Sequence, residues 1–335
     1  MKKETAYRSL VLTTAAITIT VAELVHRWLI DTKSGLLLDD DDPAGFHPRN
    51  ELVWQIAKVF ILPLGYLKWW LGSLIVLGIE NVIKALASGK AAQVVGNHKA
   101  MPDAFMPQTA LRFSGFRELA ENLLRSVIGM IFVNRRPILS KFLEGGHYVP
   151  IVPDKMLEKG FLRTLTREER KQHLINAARI NAAAFPEIRR FLELGYWTLI
   201  FPEARRVLEP GMRKVHDGVA TALRHPGTNI LPMAIIGTDK MWKPGSWRPH
   251  PFSKVIVIFG ELITYEEADR RAKAISKRYG VSEDRAFCDL VMRSIARLMI
   301  ENGHPEYAGF YGKSRRERLG NGKGGNARKK ENGET

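Results

Sequence analysis

A histidine and an aspartate stand five positions apart in the stretch VVGNHKAMPDAF, as His98 and Asp103. A carboxylate that accepts the proton of one imidazole nitrogen fixes the ring's tautomer and stabilises the imidazolium, leaving the other nitrogen to take a proton from a reacting group. On a regular helix residues five apart lie about 140° out of register, so the pair would not share a face. Pro102 changes that geometry. Proline suits the first turn of a helix, which places His98 in the preceding loop and Asp103 inside the helix start, from where its carboxylate can turn back toward the ring. No serine nucleophile stands beside them, so the chemistry to expect is direct general-base removal of a proton from a substrate hydroxyl, worth roughly 10²–10⁴-fold in rate. The spacing alone is a weak signal, because any histidine five residues before an aspartate matches it.

The elements that must position this pair read as alternating strands and helices after residue 88, the pattern of an α/β domain with a central sheet. The run AAQVVG (91–96) is a strand expectation that ends at Gly96. Asn97 and His98 then lie at its C-terminal edge, where sheets of this class place their ligands. Further strands are expected at 129–134, 147–152, 196–201, 229–236 and 254–260. A helix is expected over 166–195, broken near Pro186 and stopped by Gly195, and another opens with Thr264 and Glu267 in capping-box spacing and ends at Gly280. A last amphipathic helix runs through Phe287, Leu290, Val291, Ile295 and Leu298. Two of the strands end in charged residues. GMIFVNRRP sets Arg135 and Arg136 past one, and YWTLIFPEARR sets Glu203, Arg205 and Arg206 past another, while NILPMAII carries Pro232 inside a third. Three such strands can bring a base, a carboxylate and several guanidinium groups to one side of a sheet. Guanidinium forks suit phosphate, which they bind bidentately and always charged.

The formal net charge of +16 over 335 residues attracts polyanions, which means nucleic acid, an anionic membrane or phosphorylated ligands. The company that charge keeps points to the membrane. From Leu52 to Ile83 the chain is apolar and aromatic, with Trp54, Tyr66, Trp69 and Trp70 among interrupting lysines, the mixture favoured at a membrane–water interface. This stretch is expected as a hairpin or helix lying in that interface, with a pair of buried core helices as the alternative. The 14 uncharged residues between Arg8 and Glu23 fall short of the roughly 20 that span a bilayer. GLLLDDDDPAGFHPRN (35–50) reads as an acidic linker, and the tail 313–335, with eight basic and three acidic residues, as disordered. The single cysteine, Cys288, excludes an internal disulfide framework and a cysteine-rich zinc site.

Four blocks of this chain, NHKAMPD (97–103), GMIFVNR (129–135), FPEARRV (201–207) and ILPMAI (230–235), stand in an order that resembles the glycerolipid acyltransferases typified by lysophosphatidic acid acyltransferase. Their blocks are NHxxxxD, GxIFIxR, FPEGTRS and an apolar block around a proline. The resemblance implies a central mixed sheet flanked by helices, preceded by an apolar, membrane-associating helical region. It divides the chain into residues 1–85, an acyltransferase domain over 86–312 and the basic tail. It makes His98 the base and Asp103 its partner, and gives Arg135, Glu203 and Arg206 to acceptor-phosphate binding and site shaping. Asn97 and Arg205 join them as candidate substrate-binding residues, and backbone or asparagine donors, not named by the sequence, would hold the oxyanion. The implied reaction moves a fatty acyl group from acyl-CoA or acyl carrier protein to the hydroxyl of a lysophospholipid, with no cofactor, metal or acyl-enzyme required. The implied place is the cytoplasmic face of an anionic phospholipid membrane, with no nucleic-acid partner. The third block departs from the family pattern: Ala204 stands for its glycine, Arg205 for its threonine and Val207 for its serine, which bears on the acceptor head group. Glycerol 3-phosphate or a lyso-aminolipid are the alternative acceptors, and an inactive membrane-binding homologue the alternative class.

Overall fold

The computed structural model describes residues 73–129, 149–152, 165–203, 211–215, 219–243, 250 and 252–313. Among them the strands are β1 (Leu74–Leu77), β2 (Ala92–Gly96), β3 (Leu124–Gly129), β4 (Val149–Ile151), β5 (Trp197–Ile200), β6 (Asn229–Ile236), β7 (Val255–Phe259) and the short β8 (Ile263–Thr264). They form one mixed sheet in the order β1-β7-β6-β2-β5-β3-β4, with β8 pairing β6 beside it. β2 lies between β5 and β6 and runs parallel to both, so the ends of these three strands emerge on one edge. β7 is antiparallel to β6, and β1 is parallel to β7.

β2 and β6 are buried along their whole length because helices cover both faces of the sheet. Val94, Leu199, Leu231 and Phe259 face one layer, made by helices α1 (Ile79–Ala87) and α2 (Met106–Phe113) with Val82, Ala85 and Leu111. Val95, Ile200, Ile230 and Ala234 face the other. That layer holds α3 (Arg167–Glu193), α4 (Ala220–Leu223), α6 (Tyr265–Tyr279), α7 (Glu283–Glu301) and α8 (Pro305–Gly312), and α5 (Thr238–Met241) follows β6. A sheet covered on both sides needs apolar residues at successive positions, which is why its strands read as continuous runs.

Several expectations are corrected. β3 runs Leu124–Gly129, so the strand expected at 129–134 meets it only at Gly129, and the residues beyond lie outside the described ones. The sequence LRSVIG hid this strand because Arg125 is buried in it, its guanidinium 4.3 Å from the Tyr196 ring centroid. α3 passes through Pro186 without a break. Proline removes the hydrogen bond to the carbonyl four residues earlier, but Ala182 and Pro186 are both exposed, so water can serve that carbonyl. Pro232 sits inside β6 where the strand passes from its β8 pairing to its β7 pairing, and its carbonyl accepts from Gly260 N at 2.7 Å.

The apolar stretch 52–83 is not all interfacial. Leu74–Leu77 is β1, paired with β7, and α1 packs Val82 and Ala85 into the core. The boundary expected at residue 86 falls inside α1. Residues 1–72 and 314–335, with the linker and tail expectations, lie outside the described residues. Among the described residues no helix is long and apolar enough to cross a membrane.

Candidate active site

β2 ends at Gly96, and Asn97 prolongs its hold on β6 with its side chain. Asn97 Nδ2 donates to Ile235 O at 2.8 Å, and Asn97 Oδ1 accepts from Ile235 N at 2.7 Å. Asn97 is fully buried and both ends of its amide are committed, so it anchors the loop rather than meeting a ligand.

The loop then turns into a 3₁₀ turn, Met101–Ala104, with Pro102 in its first turn and Asp103 as its third residue. One carboxylate oxygen, Asp103 Oδ2, gathers three donors: Lys99 N at 2.5 Å, Ala100 N at 2.7 Å and His98 Nδ1 at 3.0 Å. The two backbone amides fix the carboxylate, and the carboxylate fixes the ring. Because the acceptor is a carboxylate, Nδ1 carries the proton and Nε2 is left as the basic nitrogen. Asp103 Oδ1 is buried without a hydrogen-bond partner. The His98 ring stacks on Phe201, centroids 4.8 Å apart and planes 22° off parallel, and 14% of its side chain stays exposed while Asp103 is sealed.

Glu203 lies past the end of β5, 105 residues from His98, and reaches across to the same loop. Its Oε2 accepts from His98 N at 2.8 Å and its Oε1 from Arg213 N at 2.7 Å. Only 2% of the residue is exposed. Burial raises the Glu203 carboxyl above its ordinary range, and the two amide donors and the Lys99 cation pull it only part of the way back. Both oxygens of Glu203 are thus engaged by backbone amides, one in the His98 loop and one at Arg213. Arg135, Arg205 and Arg206, together with Ala204 and Val207, lie outside the described residues.

Lys99 was not anticipated as part of this arrangement. It is 2% exposed, and its Nζ donates to Gly211 O at 2.5 Å and lies 5.9 Å from the Tyr307 ring centroid. Burial lowers its ammonium pKa, and the Glu203, Asp239 and Asp103 carboxylates oppose that shift. A lysine between two polar motif residues reads as solvated, since lysine is almost never fully buried unless paired. Only its position between His98 and Asp103 hinted otherwise. Together these groups offer an imidazole at a strand edge whose Nε2 has no hydrogen-bond partner among the described residues, backed by a buried carboxylate and held by backbone contacts. Such an arrangement takes a proton from a hydroxyl as that oxygen attacks an electrophile.

The Acyltransferase family model matches residues 74–236, from the first residue of β1 to the last of β6, and the His98–Asp103 pair and Glu203 fall inside it. Residues 74–236 are therefore an acyltransferase domain. Among solved structures, the chain is similar to the 1-acyl-sn-glycerophosphate (LPA) acyltransferase PlsC from Thermotoga maritima, at 18% identity and a TM-score of 0.40, over 73% of this chain and 81% of that one. No curated protein sequence matches the chain. Its α6, α7 and α8 follow the matched region and still contribute to the core beneath the site.

Proposed function

We propose that the chain transfers a fatty acyl group from an acyl thioester, on CoA or acyl carrier protein, to the free hydroxyl of a lysophospholipid at the cytoplasmic face of an anionic membrane. The simplest acceptor is 1-acyl-glycerol 3-phosphate, and the product is then phosphatidic acid. His98 Nε2 takes the hydroxyl proton as the oxygen attacks the thioester carbonyl. The tetrahedral intermediate collapses with expulsion of the thiolate, which takes its proton from the His98 imidazolium, so an ester and a free thiol leave and the base is regenerated. Asp103 steadies the imidazolium through Nδ1. The oxyanion must find donors other than Asn97, whose amide is engaged with Ile235. Arg135, Arg205 and Arg206 are proposed to meet the acceptor phosphate.

The observation that carries this reading is the His98 Nδ1–Asp103 Oδ2 contact of 3.0 Å, with two backbone amides on the same oxygen and Nε2 without a partner among the described residues. The test is thiol release from an acyl thioester with 1-acyl-glycerol 3-phosphate, glycerol 3-phosphate and a lyso-aminolipid as acceptors, His98→Ala beside the wild type. The highest kcat/KM is expected with 1-acyl-glycerol 3-phosphate, and a loss of roughly 10²–10⁴-fold in the alanine variant. An alanine variant as fast as the wild type would remove His98 as the base. A clear preference for either other acceptor would move the assignment to that one.

A further inference from the structure

The segment Gly211–Val215 lies between the His98 loop and α8, and it is bonded to both. Toward the loop, Gly211 O accepts from Lys99 Nζ, and Arg213 N donates to Glu203, which also holds His98 N. Toward α8, Met212 O accepts from Phe310 N at 2.9 Å and Val215 N donates to Tyr311 Oη at 3.0 Å. Tyr311 Oη in turn donates to Asp289 Oδ1 on α7 at 3.2 Å. Tyr307, one turn earlier on α8, lies below the Lys99 ammonium and donates to Asp239 Oδ1 at 2.9 Å.

Where segment and helix touch, both residues are glycine. Gly211 has φ of 93°, and a Cβ on it would meet Gly309 Cα at 2.3 Å. Gly309 breaks the helical geometry of α8 with φ of 52° and ψ of −127°, and a Cβ there would meet Met212 N at 2.3 Å. Only two backbones without Cβ atoms can come this close, and both take a left-handed φ that glycine tolerates.

We propose that α8 is a positioning element of the active site: docked through the Gly211–Gly309 contact and Tyr311, it holds the 211–215 segment, and through Lys99 and Glu203 that segment sets where the His98 ring stands. The inference rests on the acyltransfer reading for its kinetic consequence, and on geometry alone for the coupling. Lys99 and Tyr311 are buried, and Gly309 is packed against the 211–215 segment. They act through the loop, so loosening them misplaces the base without removing a substrate contact, and an offset of about 1 Å can cost on the order of 10²-fold.

The test compares Gly309→Ala and Tyr311→Phe with the wild type by steady-state kinetics, melting temperature and the NMR resonances of the His98 ring. In variants that remain folded, kcat is expected to fall by roughly tenfold or more, with KM for donor and acceptor within about twofold, and the His98 resonances to move. Tyr311→Phe, which deletes one oxygen, carries the decision if Gly309→Ala does not fold. Unchanged kcat and unchanged His98 resonances in a folded variant would overturn the proposal, and so would a change confined to KM. If the wild type transfers no acyl group to any acceptor while the variant resonances still move, acyl transfer is the reading that fails and the coupling stands.

Discussion

Asp103 gathers three hydrogen bonds on one oxygen and leaves the other bare inside the protein, an asymmetry with consequences for substitution. Asparagine at this position keeps an acceptor for the amides but loses the charge that steadies an imidazolium. Asp103→Asn is expected to lower kcat roughly 10²–10⁴-fold. Asp103→Ala strips the acceptor from all three donors, at about 1–3 kcal/mol for each group left unsatisfied, so its denaturant midpoint should fall below that of the asparagine variant. Glu203 makes a pH prediction. Its folded pKa is raised above the ordinary 4.5 by burial, so over the window just above 4.5 the folded chain keeps a proton that the unfolded chain has lost. Stability from this group is present below 4.5 and is lost as pH rises through the raised value, with a slope of up to about 1.4 kcal/mol per pH unit. Glutamine removes that dependence, and also turns an amide NH₂ toward one of the two backbone donors. Denaturant unfolding from pH 4 to 8 should show Glu203→Gln less stable than wild type at the acid end, with the gap narrowing as pH rises. A constant gap would mean that Glu203 does not titrate in that window.

At the scale of elements, the edge formed by β2, β5 and β6 brings His98 and Glu203 together although 105 residues separate them. Parallel neighbours place their loops on the same side, so the convergence follows from strand direction. Asn97 secures the last step of that pairing. Asn97→Ala leaves the buried amide and carbonyl of Ile235 without partners and should cost about 1–3 kcal/mol per group, read from the denaturant midpoint. Its effect on kcat should be far smaller than that of His98→Ala, because the side chain meets the sheet and not the substrate. β2, β5, β6 and β7 were legible within a residue or so at each end because each is a short apolar run bounded by polar or glycine residues. β3 was not, because Arg125 and Ser126 are buried in it and its cation rests on aromatic rings. α3 was legible except for its passage through Pro186, which depends on which side of the helix faces water.

For the whole molecule, the charge of +16 predicts an electrostatic component to membrane binding. Cosedimentation with anionic vesicles is expected at about 0.1 M salt and should be largely lost near 1 M, where the Debye length falls from about 10 Å to about 3 Å. Vesicles of neutral lipid should capture little of the protein at either salt. Retention on anionic vesicles at about 1 M salt would mean that apolar insertion, and not charge, carries the binding. Removing residues 313–335, with eight basic and three acidic residues, should weaken the low-salt binding without changing the melting temperature.

The sequence by itself determined the alternation of strands and helices and the order of the four blocks, and made a His98–Asp103 pair an expectation that the fold closed. Those properties follow from local pattern: apolar runs, caps and a proline at a helix start. Tertiary structure alone decided the rest. Asn97 and Glu203 carry the same polar atoms whether they face a ligand or a backbone amide, and only the fold put Ile235, His98 N and Arg213 N in front of them. Lys99 reads as a surface residue until the fold buries it and sets its Nζ against the Gly211 carbonyl. The contact between Gly211 and Gly309 joins residues about a hundred positions apart, with no side chain at either end for a local pattern to register.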